Sequence, residues 1–311
     1  MSDLSVVGSD FGTVGDVQMS DIKTIGLIIN SYKPEIVEIG KSIIQQLQGE
    51  DIQVTAIGDE AEALHLQPSS EETFKNSVDV VLVIGGDGTM LRAARTVYGK
   101  EIPILGINQG YMGFLAEVEL HDLQECLWNL LNGNYRIERR MMLTGRVIRN
   151  GTCISEANAL NDLVITKGSL SRILKMELSL EDQPIEQYHG DGLIFATPTG
   201  STGYSLSAGG PIVYPSIDVC VVSPICQHSL TARPIIFSPH HHLVVKMNND
   251  SAMAVLTVDG QNGVELESGD RIEIHKAQYD SKLIVMKERN FFDVMHGKFR
   301  NVQADRDGER K

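Results

Sequence analysis

The rhythm of apolar positions changes near Gly133. Before it, apolar runs alternate with helical stripes. Residues 24–30 (TIGLIIN) and 78–84 (VDVVLVI) are nearly unbroken, as in strands covered on both faces. Pro34 opens a helix that sets Ile36, Ile39, Ile43 and Leu47 on one stripe. Residues 52–57 alternate as a short strand, 89–98 read as a helix, and 102–107 as a strand. Leu123, Leu127 and Leu130 mark another helix, whose Trp128 reads as core. This β-then-α order predicts an α/β domain with an open, mostly parallel sheet.

After Gly133 the period shortens to two. Residues 142–148, 163–166, 174–180, 243–247, 254–258 and 271–275 alternate. Turns such as Asn150-Gly151, Asn249-Asp250 and Ser268-Gly269-Asp270 separate them. That texture predicts an all-β C-terminal domain. Residues 199–210 are too rich in glycine and serine for a strand and read as a loop entering a short helix. The expected organisation is a flexible tail over 1–21, an α/β domain over 22–133 and a β-rich domain over 134–288. The segment 289–311 is expected to fold back on the first domain. The ligand site should lie in the cleft between the two domains.

Composition narrows the classes. The chain has 311 residues and a formal net charge of −14, which argues against wrapping nucleic acid or lying on anionic lipid. No apolar run reaches the ~18 residues of a membrane span, and the polar, glycine-containing start does not read as a signal peptide. A cytoplasmic protein is the expectation. Cys126, Cys153, Cys220 and Cys226 form no CxxC pair and fit no zinc spacing, so they read as reduced thiols. His240-His241-His242 does not read as a metal site, because neighbours on a strand point to opposite faces. No metal-ligating residues are assigned.

Three stretches carry chemistry. Gly85-Gly86-Asp87-Gly88-Thr89 joins a buried strand to a helix, which puts it at the carboxyl end of a strand, where such sheets bind ligands. Glycines admit a phosphate to the backbone, and the helix N-terminus supplies free N–H groups. Asp87 among them suits a hydroxyl or a Mg²⁺ ion. The plainer reading is a tight turn with Asp87 as helix cap. Residues 191–207 (DGLIFATPTGSTGYSLS) gather an acid, hydroxyls, glycines and Tyr204, which could stack a base. Asn161-Asp162 can grip a diol by donating and accepting side by side, although such a pair alone usually marks a turn. There is no GxGxxG and no GxxxxGK[ST], which lowers both a Rossmann dehydrogenase and a P-loop kinase.

Together with Gly106-Ile107-Asn108-Gln109-Gly110-Tyr111-Met112-Gly113-Phe114-Leu115 and the stretch from Pro224 to His228 before Arg233-Pro234, these segments resemble the NAD kinase family in order and spacing. GGDG alone is shared with lipid kinases and phosphofructokinases; the long second segment is specific. Gly203 stands where the family often has Ala, and Asp162 where Glu is frequent. The shorter Asp162 would loosen a ribose grip.

The resemblance implies transfer of the γ-phosphoryl group of ATP to the 2′-hydroxyl of NAD's adenosine ribose, making NADP. Asp87 would accept the hydroxyl proton. Gly85, Gly86, Gly88 and Thr89 would cradle phosphate. Asn161 and Asp162 would hold ribose, and Thr199, Thr202, Gly203, Tyr204, Ser205, Leu206 and Ser207 the adenosine half. His189 and Asp191 would lie toward nicotinamide, with Cys226 and His228 on the same side. Phe114, Arg172 and Gln261 match further ligand-contacting positions. The partners would be NAD and ATP, with Mg²⁺ arriving with ATP, in a homo-oligomer expected to be a tetramer. Two rivals are a lipid or sugar kinase sharing GGDG and a non-catalytic NADP(H)-binding sensor.

Overall fold

The protein is described by a computed structural model over residues 22–108, 113–116, 118–168, 173–181, 183–227, 232–248, 253–287 and 290–306. The expected tail over 1–21, Arg172, His228 and the Asn249-Asp250 turn lie outside the described residues.

In chain order the first elements are β1 (Thr24–Ile29), α1 (Pro34–Gln48), β2 (Gln53–Ile57), α2 (Gly58–Ala63), β3 (Pro68–Ser69), α3 (Glu71–Ser77), β4 (Val80–Ile84), α4 (Asp87–Thr96), β5 (Pro103–Asn108), β6 (Val118–Glu119), α5 (Leu123–Leu131) and β7 (Arg136–Arg140). There follow β8 (Leu143–Arg149), β9 (Thr152–Ala159), β10 (Asp162–Lys167), β11 (Leu174–Leu180), β12 (Gln183–Gly190), β13 (Gly192–Ala196) and α6 (Tyr204–Ser207). The chain continues with β14 (Cys220–Ile225), β15 (Ile235–Phe237), β16 (Leu243–Met247), β17 (Ala254–Val258), β18 (Gln261–Leu266), β19 (Arg271–Lys276), β20 (Ser281–Val285) and α7 (Phe291–Arg306).

The first sheet runs β3-β2-β1-β4-β5-β20-β7, with β6 paired to β5. Its pairs are parallel except β20 with β7. Helices cover both faces, which is why β1 and β4 are apolar almost throughout. One face packs Ile25, Leu27, Leu82 and Ile84 against α1 and α5; the other packs Val81, Val83 and Ile104 against α3 and α4. Pro34 sits in the first turn of α1, whose Ile36, Ile43 and Leu47 are buried. Ser70 caps α3 by accepting from the Thr73 N–H at 3.1 Å.

Two six-stranded antiparallel sheets form the β-rich half: β15-β14-β13-β10-β17-β18 and β12-β11-β16-β19-β8-β9. Leu163, Ile165 and Phe195 of one share a core with Met176, Val245 and Ile272 of the other. The α/β half and the β-rich half thus have the expected architectures, but the sheets do not divide the chain at 133 and 288. Strands β7 and β20, both inside 134–288, belong to the first sheet, where β20 lies parallel to β5.

Trp128 is 61% exposed rather than core. The buried stripe of α5 is Cys126, Leu127 and Leu130, and Trp128 projects to one side of it. The three consecutive histidines lie in a turn and the stretch after it rather than on a strand. None of the four cysteines is in a disulfide.

Candidate active site

The β4–α4 turn is built for close approach. The Gly85 N–H donates to the Ile107 carbonyl at 2.9 Å, which carries the β4–β5 pairing into the turn. A Cβ on Gly85 would stand 2.5 Å from Thr89 Oγ1, so Thr89 folds back over it. Gly86 caps α4, its carbonyl accepting from the Thr89 and Met90 N–H groups at 3.0 and 3.2 Å. Among the described residues, apart from chain neighbours and the backbone of α4 itself, no atom lies within 4 Å of where a side chain would leave Gly86 or Gly88. The N-terminus of α4, with its unpaired N–H groups and positive dipole end, therefore adjoins open space that an anion can fill.

Asp87 stands on the first turn of α4, half-buried. The N-cap of α4 is Gly86, which has no side chain to cap with, and among the described residues the Asp87 carboxylate bonds outside its own helix. Oδ1 accepts from the Leu115 N–H at 3.1 Å and Oδ2 from the Phe114 N–H at 3.2 Å. Oδ2 also accepts from Lys298 Nζ of α7 at 2.9 Å. The carboxylate is thus pinned by groups distant in sequence, while its helix is capped by Gly86.

The facing wall comes from the β-rich half. Leu160 is fully buried in one cluster with Met90, Ala93 and Ala94 of α4. Asn161 follows it, and Asp162 begins β10. Thr197 donates its hydroxyl to the Leu160 carbonyl at 2.6 Å and its N–H to the Asn161 carbonyl at 2.9 Å. A Cβ on Gly200 would stand 2.1 Å from that Asn161 oxygen. This close approach joins the 161–162 and 197–203 segments into one surface. Gly203 faces the pair: a Cβ there would lie 3.8 Å from Asn161 Nδ2 and 3.9 Å from Asp162 Oδ2. Thr199 and Thr202 lie in a 3₁₀ turn, and residues 204–207 form the short helix α6. Tyr204 is exposed and Leu206 half-buried. Ser205 faces inward, its hydroxyl hydrogen-bonded to that of Ser223 at 2.9 Å and so committed to the fold.

Asp259 organises this wall and was not singled out from the sequence. Its Oδ1 accepts from the Asn161 N–H at 2.7 Å and the Asp162 N–H at 3.2 Å, and its Oδ2 from the Leu160 N–H at 3.2 Å. Oδ2 also pairs with Arg95 at 2.7 Å, the Asp259 side chain being fully buried. Arg95 closes α4, whose first residue is Asp87; the two lie about 12 Å apart along the helix axis at ~1.5 Å per residue. One carboxylate therefore ties the helix bearing Asp87 to the backbone bearing Asn161. The Asp259-Gly260 turn has positive φ at both residues, the two-residue hairpin type that Asp-Gly favours. That dipeptide was the available signal.

Asp162 is in a different state. It is almost fully buried, and desolvation, reinforced by the nearby Asp259 charge, pushes its pKa up to about 7. Burial likewise pushes the Cys220 thiol to about 12, which makes it inert.

The remaining predicted residues are scattered: Asp191 and Cys226 lie by the Lys167 end of β10, and Gln261 lies by the opposite, Asp162 end. His189 is exposed on the edge strand β12. Asp191 turns the corner from β12 to β13 and pairs with Lys167 at 2.8 Å. Cys226 is exposed just after β14 with a positive φ, and Gln261 is exposed at the start of β18. The Phe114 ring lies 6.2 Å from Phe291 of α7.

A glycine turn at a parallel strand's carboxyl end, an open helix N-terminus and a fixed carboxylate define a nucleotide-handling phosphotransferase. Models of the ATP-NAD kinase N-terminal and C-terminal domains match residues 25–135 and 160–286. An NAD kinase of Natranaerobius thermophilus is 40% identical over 284 residues, covering 91% of this chain and 99% of that protein. One of Geobacter sulfurreducens is 44% identical over 222 residues, 71% and 78% of the two chains. A crystal structure of yeast NADH kinase complexed with NADH superposes with a TM-score of 0.82 at 23% identity, covering 90% of this chain and 87% of that one. An Archaeoglobus fulgidus NAD kinase in complex with ATP gives 0.71 at 25%, covering 89% and 98%. The chain belongs to the NAD kinase family.

Proposed function

We propose that this phosphotransferase moves the γ-phosphoryl group of ATP to the 2′-hydroxyl of NAD's adenosine ribose, with Asp87 as proton acceptor. The observation that carries this reading is the open cradle at Gly86 and Gly88 beside a carboxylate that backbone N–H groups hold in place. A ribose hydroxyl is a poor nucleophile at neutral pH, and a hydrogen-bonded carboxylate assists its attack. Phosphoryl transfer otherwise asks mainly for positioning and charge neutralisation.

In this reading Gly85, Gly86, Gly88 and Thr89 frame the phosphate site. Asn161 and Asp162 hold ribose, and the Thr199–Ser207 surface holds the adenosine half, with Tyr204 free to stack. Ser205 serves that surface from behind. His189, Asp191 and Cys226 lie farther along the dinucleotide, toward nicotinamide, as would His228; Gln261 and Arg172 are further ligand-contacting positions. Among the described residues no group of three His, Cys, Asp or Glu side chains is placed to hold a metal. Mg²⁺ is read as part of the ATP substrate, held by phosphate and water.

The assembly is read as a homo-oligomer, a tetramer by family expectation. The edge strands β9 and β12 expose Ile154 and Ile185, and uncovered sheet edges call for a partner. No helix among the described residues is long and apolar enough to cross a membrane; a cytoplasmic location is part of the proposal.

A coupled assay for NADP formation from NAD, ATP and Mg²⁺ tests the reading. NADP formation supports it. Binding of NADP without turnover would favour the sensor, and phosphorylation of a lipid or sugar instead would favour the other GGDG kinases.

A further inference from the structure

The C-terminal helix α7 reaches the candidate base. Phe291 packs 5.5 Å from Tyr214 of the β-rich half and 6.2 Å from Phe114 of the α/β half, and Phe292 lies 6.1 Å from Tyr214. Aromatic contacts to both halves thus fix the start of α7 over the site. Farther along α7, Lys298 places its ammonium 2.9 Å from Asp87 Oδ2 and 4.2 Å from the centre of the Phe114 ring. Lys298 and Asp87 are each about one-third exposed, so solvent and ligand can reach the pair.

Among the described residues, Asp87 is flanked by backbone on Oδ1 and by Phe114 and Lys298 on Oδ2. Oδ1 accepts from Leu115 and is walled by Gly113, where a Cβ would stand 2.0 Å away. Oδ2 accepts from Phe114 on one flank and from Lys298 on the other. The Phe114 donor is backbone and fixed. The Lys298 donor is a flexible side chain with three rotatable N–H groups. A hydroxyl that comes to Asp87 must therefore take the place of Lys298.

From these contacts we propose that Lys298 is a catalytic residue of the phosphoryl transfer, exchanging Asp87 for the transferring phosphoryl group. This rests on the reading of Asp87 as base. As the ribose hydroxyl bonds to Oδ2, the ammonium turns to the non-bridging oxygens of the γ-phosphoryl group. A hydroxyl ~2.6–3.2 Å from Oδ2 and a phosphorus ~3–3.5 Å beyond it keep those oxygens within reach of a side chain that now ends at Oδ2. The 2′-oxygen then bonds to the γ-phosphorus, and the bond from that phosphorus to the β–γ bridging oxygen breaks. The hydroxyl proton passes to Asp87, and the electron pair leaves on ADP. Lys298 keeps its protons and neutralises charge on the equatorial oxygens, the task phosphoryl transfer sets a cation. The resting ion pair holds base and cation together until substrate separates them.

The test is steady-state kinetics of the full chain carrying Lys298→Gln or Lys298→Arg, with Asp87→Asn in the same series. Gln suits a helix about as well as Lys, and melting temperatures check folding. The expected result is a fall in kcat for Lys298→Gln of roughly 10²–10³-fold, with the KM for NAD changed less than about threefold. Lys298→Arg, which keeps charge and fold, should recover a large part of kcat. A folded Lys298→Gln with unchanged or raised kcat would make the lysine a mere tether or brake and overturn the proposal. An Arg variant as slow as Gln at wild-type melting temperature also counts against it. Normal kcat in Asp87→Asn with slow Lys298→Gln would overturn the base and spare the lysine.

Discussion

The two walls of the site treat their aspartates in opposite ways. On the α/β side Asp87 is half-buried at a helix N-terminus, beside space that no described side chain fills, and its lysine partner comes from the far end of the chain. On the β-rich side Asp259 is fully buried and accepts three backbone N–H groups and an arginine. Asp162, a neighbour of Asp259, is buried without comparable compensation, so its carboxyl is pushed toward the neutral form. The partner of Asp87 is a flexible side chain, as the proposed exchange with substrate requires. Asp259 keeps fixed partners, as a group that only positions others requires. One residue type does both jobs, and its surroundings decide which.

The largest effect is expected at Asp87. Asp87→Asn should lower kcat by roughly 10²–10⁴-fold. The amide presents an NH₂ where the carboxylate accepts from Phe114 and Leu115, so melting temperature must be read alongside. Near-normal kcat in a folded variant would remove the general base.

Next comes Asp259. Asp259→Ala strands Arg95 and three N–H groups and should destabilise the protein by about 3–5 kcal/mol, the range for breaking one side of a buried pair. Chemical denaturation of wild type and variant measures it. A loss under ~1 kcal/mol, the range of a surface pair, would mean that Arg95 and Asp259 do not join the halves. Arg95→Gln should raise the NAD KM as well, because the same strut sets the backbone at Asn161.

Asp162 predicts a pH signature. Its pKa is about 7 in the folded protein against an ordinary 3.8. Between those values the folded state holds a proton that the unfolded state has lost, so this group makes stability fall as pH rises from about 4 through about 7. Asp162→Asn removes that slope. Relative to wild type, the variant should gain about 2 kcal/mol between pH 5 and pH 8. Parallel stability profiles would mean that Asp162 is ionised in the fold.

The smallest effect should be that of Asn161→Ala, which would remove one proposed side-chain contact to the dinucleotide. Its KM for NAD should rise about tenfold, with the KM for ATP nearly unchanged. Equal changes in both would make the pair structural.

Much of this was legible in the residues. Helix α4 and the strand before it carry strong local signals: an unbroken apolar run, glycines, then a helix. The α/β and β-rich textures could be told apart because strands covered on two faces and strands covered on one differ in period. The signal failed at the sheet margins. Strands β9 and β12 are largely exposed edges, so solvent rather than a core chose their side chains. The placement of β7 and β20 in the first sheet is a long-range pairing to which no local period responds. Trp128 was misjudged by composition, since the helix stripe rather than the neighbours' polarity decides burial. Asp87 and Asn161-Asp162 stand out through motif and resemblance, and their roles belong to the proposed reading. Asp259 and Lys298 do not stand out, because each acts through contacts about a hundred residues away or more.

The account divides labour between chemistry at Asp87 and dinucleotide grip at Asn161. Calorimetric NAD affinity and kcat, measured on one preparation each of Asp87→Asn and Asn161→Ala, test that division most directly. Asp87→Asn should lose kcat while its NAD Kd stays within about threefold of wild type, since an amide still hydrogen-bonds a hydroxyl. Asn161→Ala should weaken NAD binding while kcat at saturating NAD survives. If the same parameter moves in both variants, or if Asp87→Asn loses NAD binding and keeps kcat, the division is wrong.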